Sequence, residues 1–244
     1  MKINFKKHVV NYMVLAIIIS CSIGYGLGLV TKGEPVAPVV IEQIFQDTIQ
    51  EVLPACVFIS VEGHGYSWSG SGVIISPDGE ILTAGHVVRN AVSIEVELND
   101  GRKFKATNFH ALKDNDGGFI NIDPNEPLPY VEYCDSDSLV VGDDVFVIGS
   151  PFGHDQINTV TKGIVSHTGR SIEFFGTGEQ IQVDAASWPG NSGGPVFNIN
   201  GELVAILVGG IGGYDDLSLC TPLNLFWERN IDAIVDKCLE WMTD

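Results

Sequence analysis

Trp188-Pro189-Gly190-Asn191-Ser192-Gly193-Gly194-Pro195 places a lone serine among three glycines, between apolar runs at 179–184 and 195–198. Glycine accepts backbone angles that a Cβ forbids. A tight turn at this point can aim the N–H groups of Gly190 and Ser192 at one spot beside the hydroxyl, which is what stabilising an oxyanion requires. Taken alone, the segment is equally an ordinary glycine-rich hairpin turn. A serine hydroxyl is a weak nucleophile until a base takes its proton, and the base needs a carboxylate to orient it. The reading therefore depends on the histidines and acids elsewhere in the chain.

His86 closes the apolar run Ile81-Leu82-Thr83-Ala84-Gly85, where a rigid strand can present an imidazole into a cleft. The carboxylate candidates are Asp114 and Asp116, just ahead of the apolar residues Phe119 and Ile120, with Asp116 the nearer. Gly190-x-Ser192-x-Gly194 also fits the nucleophile turn of the α/β-hydrolases, but those folds place the histidine after the serine. All six histidines here (His8, His64, His86, His110, His154, His167) precede Ser192, which removes that reading. The order His86, Asp116, Ser192 is that of the chymotrypsin-type double barrel.

Secondary-structure signals agree. Eleven short runs rich in Val, Ile and Phe, at 55–61, 71–76, 80–83, 92–98, 102–109, 118–122, 144–149, 158–166, 179–184, 195–198 and 203–208, are separated by turn residues. Pro77-Asp78-Gly79, Asn99-Asp100-Gly101 and Asn200-Gly201 are hairpin chemistry, so neighbouring strands should pair antiparallel. So many strands with little intervening helix predict an all-β fold of sandwich or double-barrel type. Ile41, Ile44, Phe45, Ile49 and Val52 predict a short helix before the first strand, and Ile231, Ile234, Val235, Cys238, Leu239 and Met242 a helix at the C-terminus.

Several further blocks occur together and in order: Ser69-Gly70-Ser71-Gly72-Val73-Ile74-Ile75, Ile81-Leu82-Thr83, Val141-Gly142-Asp143, Ile148-Gly149-Ser150-Pro151-Phe152-Gly153, Thr161-Lys162-Gly163-Ile164-Val165-Ser166 and Ile181-Gln182-Val183-Asp184-Ala185-Ala186. With the serine and histidine segments they make the chain, from about Ile41 to about Lys237, resemble the HtrA/Deg branch of trypsin-like serine proteases. The resemblance implies a double β-barrel and a serine endopeptidase acting on unfolded or exposed polypeptide. It implies His86 as general base, Asp116 as its partner, Ser192 as nucleophile, and the backbone of Gly190, Asn191 and Ser192 as oxyanion hole. The residue six before the nucleophile would form the base of the pocket for the side chain preceding the cleaved bond. Here it is Ala186, with Leu207, Val208, Leu219 and Cys220 expected around it. With no carboxylate at that base, a basic side chain would be buried unpaired, so cleavage after small or aliphatic residues is expected. Two departures stand out. Gly117-Gly118 follow Asp116 where the family usually alternates small and aliphatic residues, which predicts a looser strand start, and the PDZ domain usual in the family has no counterpart in the sequence. A homotrimer is a further implication of the resemblance.

At the other end, Lys2, Lys6 and Lys7 precede Val9–Val30, 22 residues without a charge and long enough to cross a bilayer as a helix. Residues 1–32 are expected to be a membrane anchor with its basic flank cytoplasmic. The other readings are a cleaved signal peptide or a lipoprotein signal ending at Cys21. Residues 33–40 form a linker, and 41–244 the trypsin-like domain. All 31 acidic residues lie after position 33, against nine basic ones there, a net −22 that repels nucleic acid. Five cysteines (Cys21, Cys56, Cys134, Cys220, Cys238) show no CxxC pairing, so neither a metal site nor another cofactor is expected. Cys56 and Cys220 fall in apolar runs and are expected as small core residues. The expected partners are polypeptides, and the membrane through the anchor.

Overall fold

Runs of buried residues in Cys56–Glu62 (β1), Ser67–Ile74 (β2) and Glu80–Ala84 (β3), and an alternation of buried and half-buried ones in Ser93–Leu98 (β4), build the first of two antiparallel lobes. The computed structural model describes residues 38–113, 115–171, 179–210 and 217–227. The expected anchor and C-terminal helix, Cys21, Cys238 and Asp114 lie outside the described residues. Among the described residues no helix is long and apolar enough to cross a membrane.

The remaining strands of the first lobe are Lys103–Lys105 (β5), Asn108–Ala111 (β6) and Gly117–Asn121 (β7), in the sheet order β5-β4-β1-β2-β3-β7-β6. A second closed barrel was the expectation, and this lobe differs from it. Its edges β5 and β6 do not pair with each other because they are halves of one extended stretch, the predicted run 102–109. Ala106 N–H donates to the Ile94 carbonyl on one side (2.9 Å) and Thr107 N–H to the Asn121 carbonyl on the other (2.8 Å), so neighbouring residues serve opposite ends of a strongly curled sheet.

The second lobe is closed. Asp144–Gly149 (β8), Thr159–Ser171 (β9), Glu179–Val183 (β10), Pro195–Asn198 (β11), Leu203–Gly210 (β12) and Ser218–Pro222 (β13) run in the order β10-β13-β12-β11-β8-β9, with β9 pairing back to β10. Three of its strands, β8, β11 and β12, are apolar on both faces for a structural reason. Val145, Val147, Val196 and Leu207 fill the barrel, while Phe146, Ile148, Phe197 and Ile206 on the opposite faces join the core of the first lobe.

A helix, Pro38–Val52 (α1), precedes β1, so positions 38–40 of the expected linker are helical. Proline is well tolerated in a first helical turn, where its missing N–H would have had no partner. Phe45 meets Phe146 edge-on at 5.3 Å, Phe146 stacks on Phe197 at 5.2 Å, and the Lys162 ammonium lies 5.2 Å from the Phe45 ring centre. Burying Val52 beside them contributes about 2 kcal/mol. Cys56 and Cys220 are buried and free, and burial pushes both thiols far up.

Candidate active site

The buried strand β3 ends at Ala84, and the chain winds into a single helical turn, Gly85–Val88 (α2), that carries His86. What stops the turn from swinging is Asp116. The Gly85 N–H donates to the Asp116 carbonyl (2.8 Å), the His86 N–H donates to Asp116 Oδ1 (2.8 Å), and His86 Nδ1 lies 2.5 Å from Asp116 Oδ2. The carboxylate is 8% exposed and the imidazole 41%, so the acid is sheltered and the ring faces the cleft. An ionised carboxylate only accepts hydrogen bonds, which puts the ring proton on Nδ1 and leaves Nε2 as an acceptor. The Arg89 guanidinium, 3.6 Å from Oδ1, adds a positive charge that sequence reasoning had not picked out.

Gly117-Gly118 do not loosen the strand. Ala84 pairs with Gly117 and Thr83 with Gly118, and a Cβ on Gly117 would sit 2.8 Å from both Asn115 Oδ1 and Phe226 Cε1. The glycines make room for packing. Asn115, also missed, is the brace: its Oδ1 accepts from the Gly117 N–H (2.9 Å) and its Nδ2 donates to the Leu225 carbonyl (3.0 Å).

Ser192 comes from the second lobe, on the turn between β10 and β11. Gly190 has φ +102° and Gly193 φ +86°, the left-handed region where side chains are strained. Ser192 Oγ lies 3.4 Å from the Val208 carbonyl and makes no hydrogen bond to His86. The two loops nonetheless adjoin, since a Cβ on Gly70 would meet Val87, next to His86, at 2.8 Å and the Ser192 carbonyl at 3.1 Å.

Of the three residues expected to form an oxyanion hole, Asn191 has its N–H engaged within the loop. Its N–H donates to the Trp188 carbonyl (3.0 Å), because that bond closes the turn. The N–H groups of Gly190 and Ser192 make no hydrogen bond among the described residues and stay available. Asn191 is 2% exposed, and its Oδ1 is buried without a partner. Phe152, not foreseen, donates its N–H to the Pro189 carbonyl (2.8 Å) at φ +59°.

The residues of the expected pocket are largely covered. Ala186 is half-buried, its carbonyl accepting from Thr161 Oγ1 at 3.0 Å. Leu207, Val208, Leu219 and Cys220 are each 1% exposed or less, and their side chains belong to the cores rather than to an open wall. Towards the nucleophile turn β12 offers main chain: the Val208 carbonyl lies 3.4 Å from Ser192 Oγ, and the Leu207 carbonyl accepts from Gly193 N–H at 2.7 Å.

A family profile for the trypsin-like peptidase domain matches residues 70–206, more than half of the chain. The chain belongs to this family. Among curated relatives, a probable periplasmic serine endoprotease, DegP-like, of Chlamydia pneumoniae is 41% identical over 170 residues, covering 68% of this chain and 34% of that protein. Its namesake in Marinomonas sp. is 45% identical over 156 residues, covering 63% and 33%. The trypsin-like chain thus spans about a third of the length of these relatives. Solved structures of the HtrA-type protease AlgW agree. The complex with a tripeptide is 33% identical with a TM-score of 0.68, covering 74% of this chain and 60% of that one. The complex with a decapeptide is 28% identical with a TM-score of 0.65, covering 74% and 64%.

Proposed function

We propose that this chain is an HtrA/Deg-like serine endopeptidase that hydrolyses exposed or unfolded polypeptide through Ser192, His86 and Asp116. The observation that carries the reading is the double hold of Asp116 on His86, through ring and main chain, which leaves Nε2 facing the cleft that Ser192 borders. As a substrate carbonyl arrives, Ser192 Oγ turns from Val208, gives its proton to His86 Nε2 and bonds to the carbonyl carbon. The oxygen, now negative, is received by the N–H groups of Gly190 and Ser192. The protonated imidazole then gives its proton to the leaving amine, the C–N bond breaks, and water releases the acyl group from Ser192 by the same steps. Ala186 supports cleavage after small or aliphatic side chains. The periplasmic naming of the relatives and the apolar run Val9–Val30 support a membrane-anchored domain facing out of the cytoplasm and serving protein quality control, and the family resemblance supports a homotrimer.

A fluorophosphonate probe on detergent-solubilised full-length chain tests this. Labelling that disappears in Ser192→Ala and His86→Ala is the expected result. An unlabelled Ser192 would instead leave a protease-fold binding or chaperone module without turnover.

A further inference from the structure

Ser71, on β2 of the first lobe, is 1% exposed and uses every hydrogen-bonding atom it has across the lobe boundary or the sheet. Its Oγ donates to the Gly190 carbonyl (2.9 Å) and accepts from the Ser150 N–H (2.9 Å). Its N–H donates to the Ser192 carbonyl (2.8 Å), and its carbonyl accepts from Thr83 Oγ1 (2.7 Å).

These bonds fall on particular peptide planes. The N–H groups of Gly190 and Ser192 belong to the planes 189/190 and 191/192. The first is pinned by Phe152 N–H on the Pro189 carbonyl (2.8 Å) and the second by Gly194 N–H on the Asn191 carbonyl (2.9 Å). Between them lies the plane 190/191, whose orientation decides whether the two N–H groups face the same side. It hinges on a glycine at φ +102°, a residue with no Cβ to resist rotation. Its N–H is bonded within the loop, to the Trp188 carbonyl (3.0 Å), and its carbonyl is held from the opposite lobe by a side chain, the Ser71 hydroxyl. The same hydroxyl anchors Ser150, two residues before the Phe152 that pins Pro189, so it supports two of the three planes.

We propose that Ser71 is a positioning residue for the oxyanion loop: its buried hydroxyl, supplied by the opposite lobe, keeps the 190/191 peptide turned so that the Gly190 and Ser192 N–H groups converge. The inference rests on the proposed peptidase function. Ser71 touches no reacting atom and acts through Gly190.

The test uses full-length Ser71→Ala and Ser71→Cys, the second close to serine in shape but a weaker donor. Rates of fluorophosphonate labelling are measured beside kcat, KM and melting temperature. Misplaced oxyanion donors should lower labelling and kcat by about 10²-fold in Ser71→Ala, with KM little changed and an intermediate loss in Ser71→Cys. A merely structural role would lower the melting temperature and leave the rate per folded molecule unchanged, and that result overturns the proposal. If Ser71→Ala does not fold, Ser71→Cys decides alone, an unchanged rate overturning the proposal. Absence of label on the unsubstituted chain is a different failure, which removes the peptidase reading and this inference with it.

Discussion

Asp116 holds His86 by two atoms at once, Oδ2 on the ring Nδ1 at 2.5 Å and Oδ1 on the main-chain N–H at 2.8 Å. The imidazole is thereby fixed in both tautomer and direction. Asp116→Asn keeps the shape but can present an amide N–H to Nδ1, which favours the wrong tautomer. It should lower kcat on a peptide substrate by about 10⁴-fold while the chain stays folded. A loss smaller than tenfold would mean that the base is oriented by something else.

Gly193 and Gly101 have nearly the same φ, +86° and +87°, but a Cβ on Gly193 would lie 2.1 Å from the Ser71 carbonyl and Thr83 Oγ1, whereas nothing lies within 4 Å of one on Gly101. Gly101→Ala should cost about 1 kcal/mol, the strain of the angle alone. Gly193→Ala adds an overlap with backbone and should cost about 3 kcal/mol or more, read from denaturant unfolding. Equal losses in the two variants would rule out the tight approach of the nucleophile turn to β2.

Leu207 was expected at the specificity pocket and is 0% exposed inside the second barrel. Leu207→Ala should therefore destabilise by about 2–5 kcal/mol and leave the preference for the residue before the cleaved bond as it was. A changed preference in a peptide-library digest, with stability intact, would return Leu207 to the pocket.

Glu97 on β4 meets the Lys103 ammonium at 3.0 Å and His154 Nε2 at 3.1 Å, tying the first lobe to the segment after β8. Burial acts to raise its carboxyl, but the hydrogen bonds and charges of Lys103 and His154 outweigh it and hold the group below the usual carboxylate range. A carboxyl lowered by folding stabilises at pH values above its unfolded range, and the contribution is lost as pH falls through the folded value. Glu97→Gln should thus unfold more easily than the unsubstituted chain at about pH 7 and no more easily at about pH 3. A deficit that persists in acid would point to lost packing.

Much of this was legible in the sequence because the deciding signals are local. The strand runs carry their own turns, and the glycines around Ser192 announce a backbone that only they can adopt. His86 and Asp116, which the structure brings together, were picked out because each adjoins an apolar strand end. What stayed hidden depends on contacts between distant segments. Ser71 was visible as part of a block, but its bonds to Ser150 and Gly190 span 79 and 119 positions. Asn115 reaches Leu225 across 110. The burial of the expected pocket residues was hidden for a related reason: the apolar pattern of 203–208 says that both faces of the strand are covered, not which residue covers them. Gly117-Gly118 read as weakness, but Gly117 gives clearance to Phe226 and Gly118 to Ala84 and Val88.

The stretch that serves both ends of the first sheet has a bearing on how the protein behaves in a crowded compartment. Open sheets are templates onto which a neighbouring chain can add a strand, the first step of many aggregates. Here the exposed borders are three and four residues long, and β5 carries Lys103 and Lys105. A visiting strand would find too few free main-chain groups to hold, and ammonium groups to displace. A molecule proposed to spend its life among unfolded polypeptides is built so that they gain little by pairing with its rim.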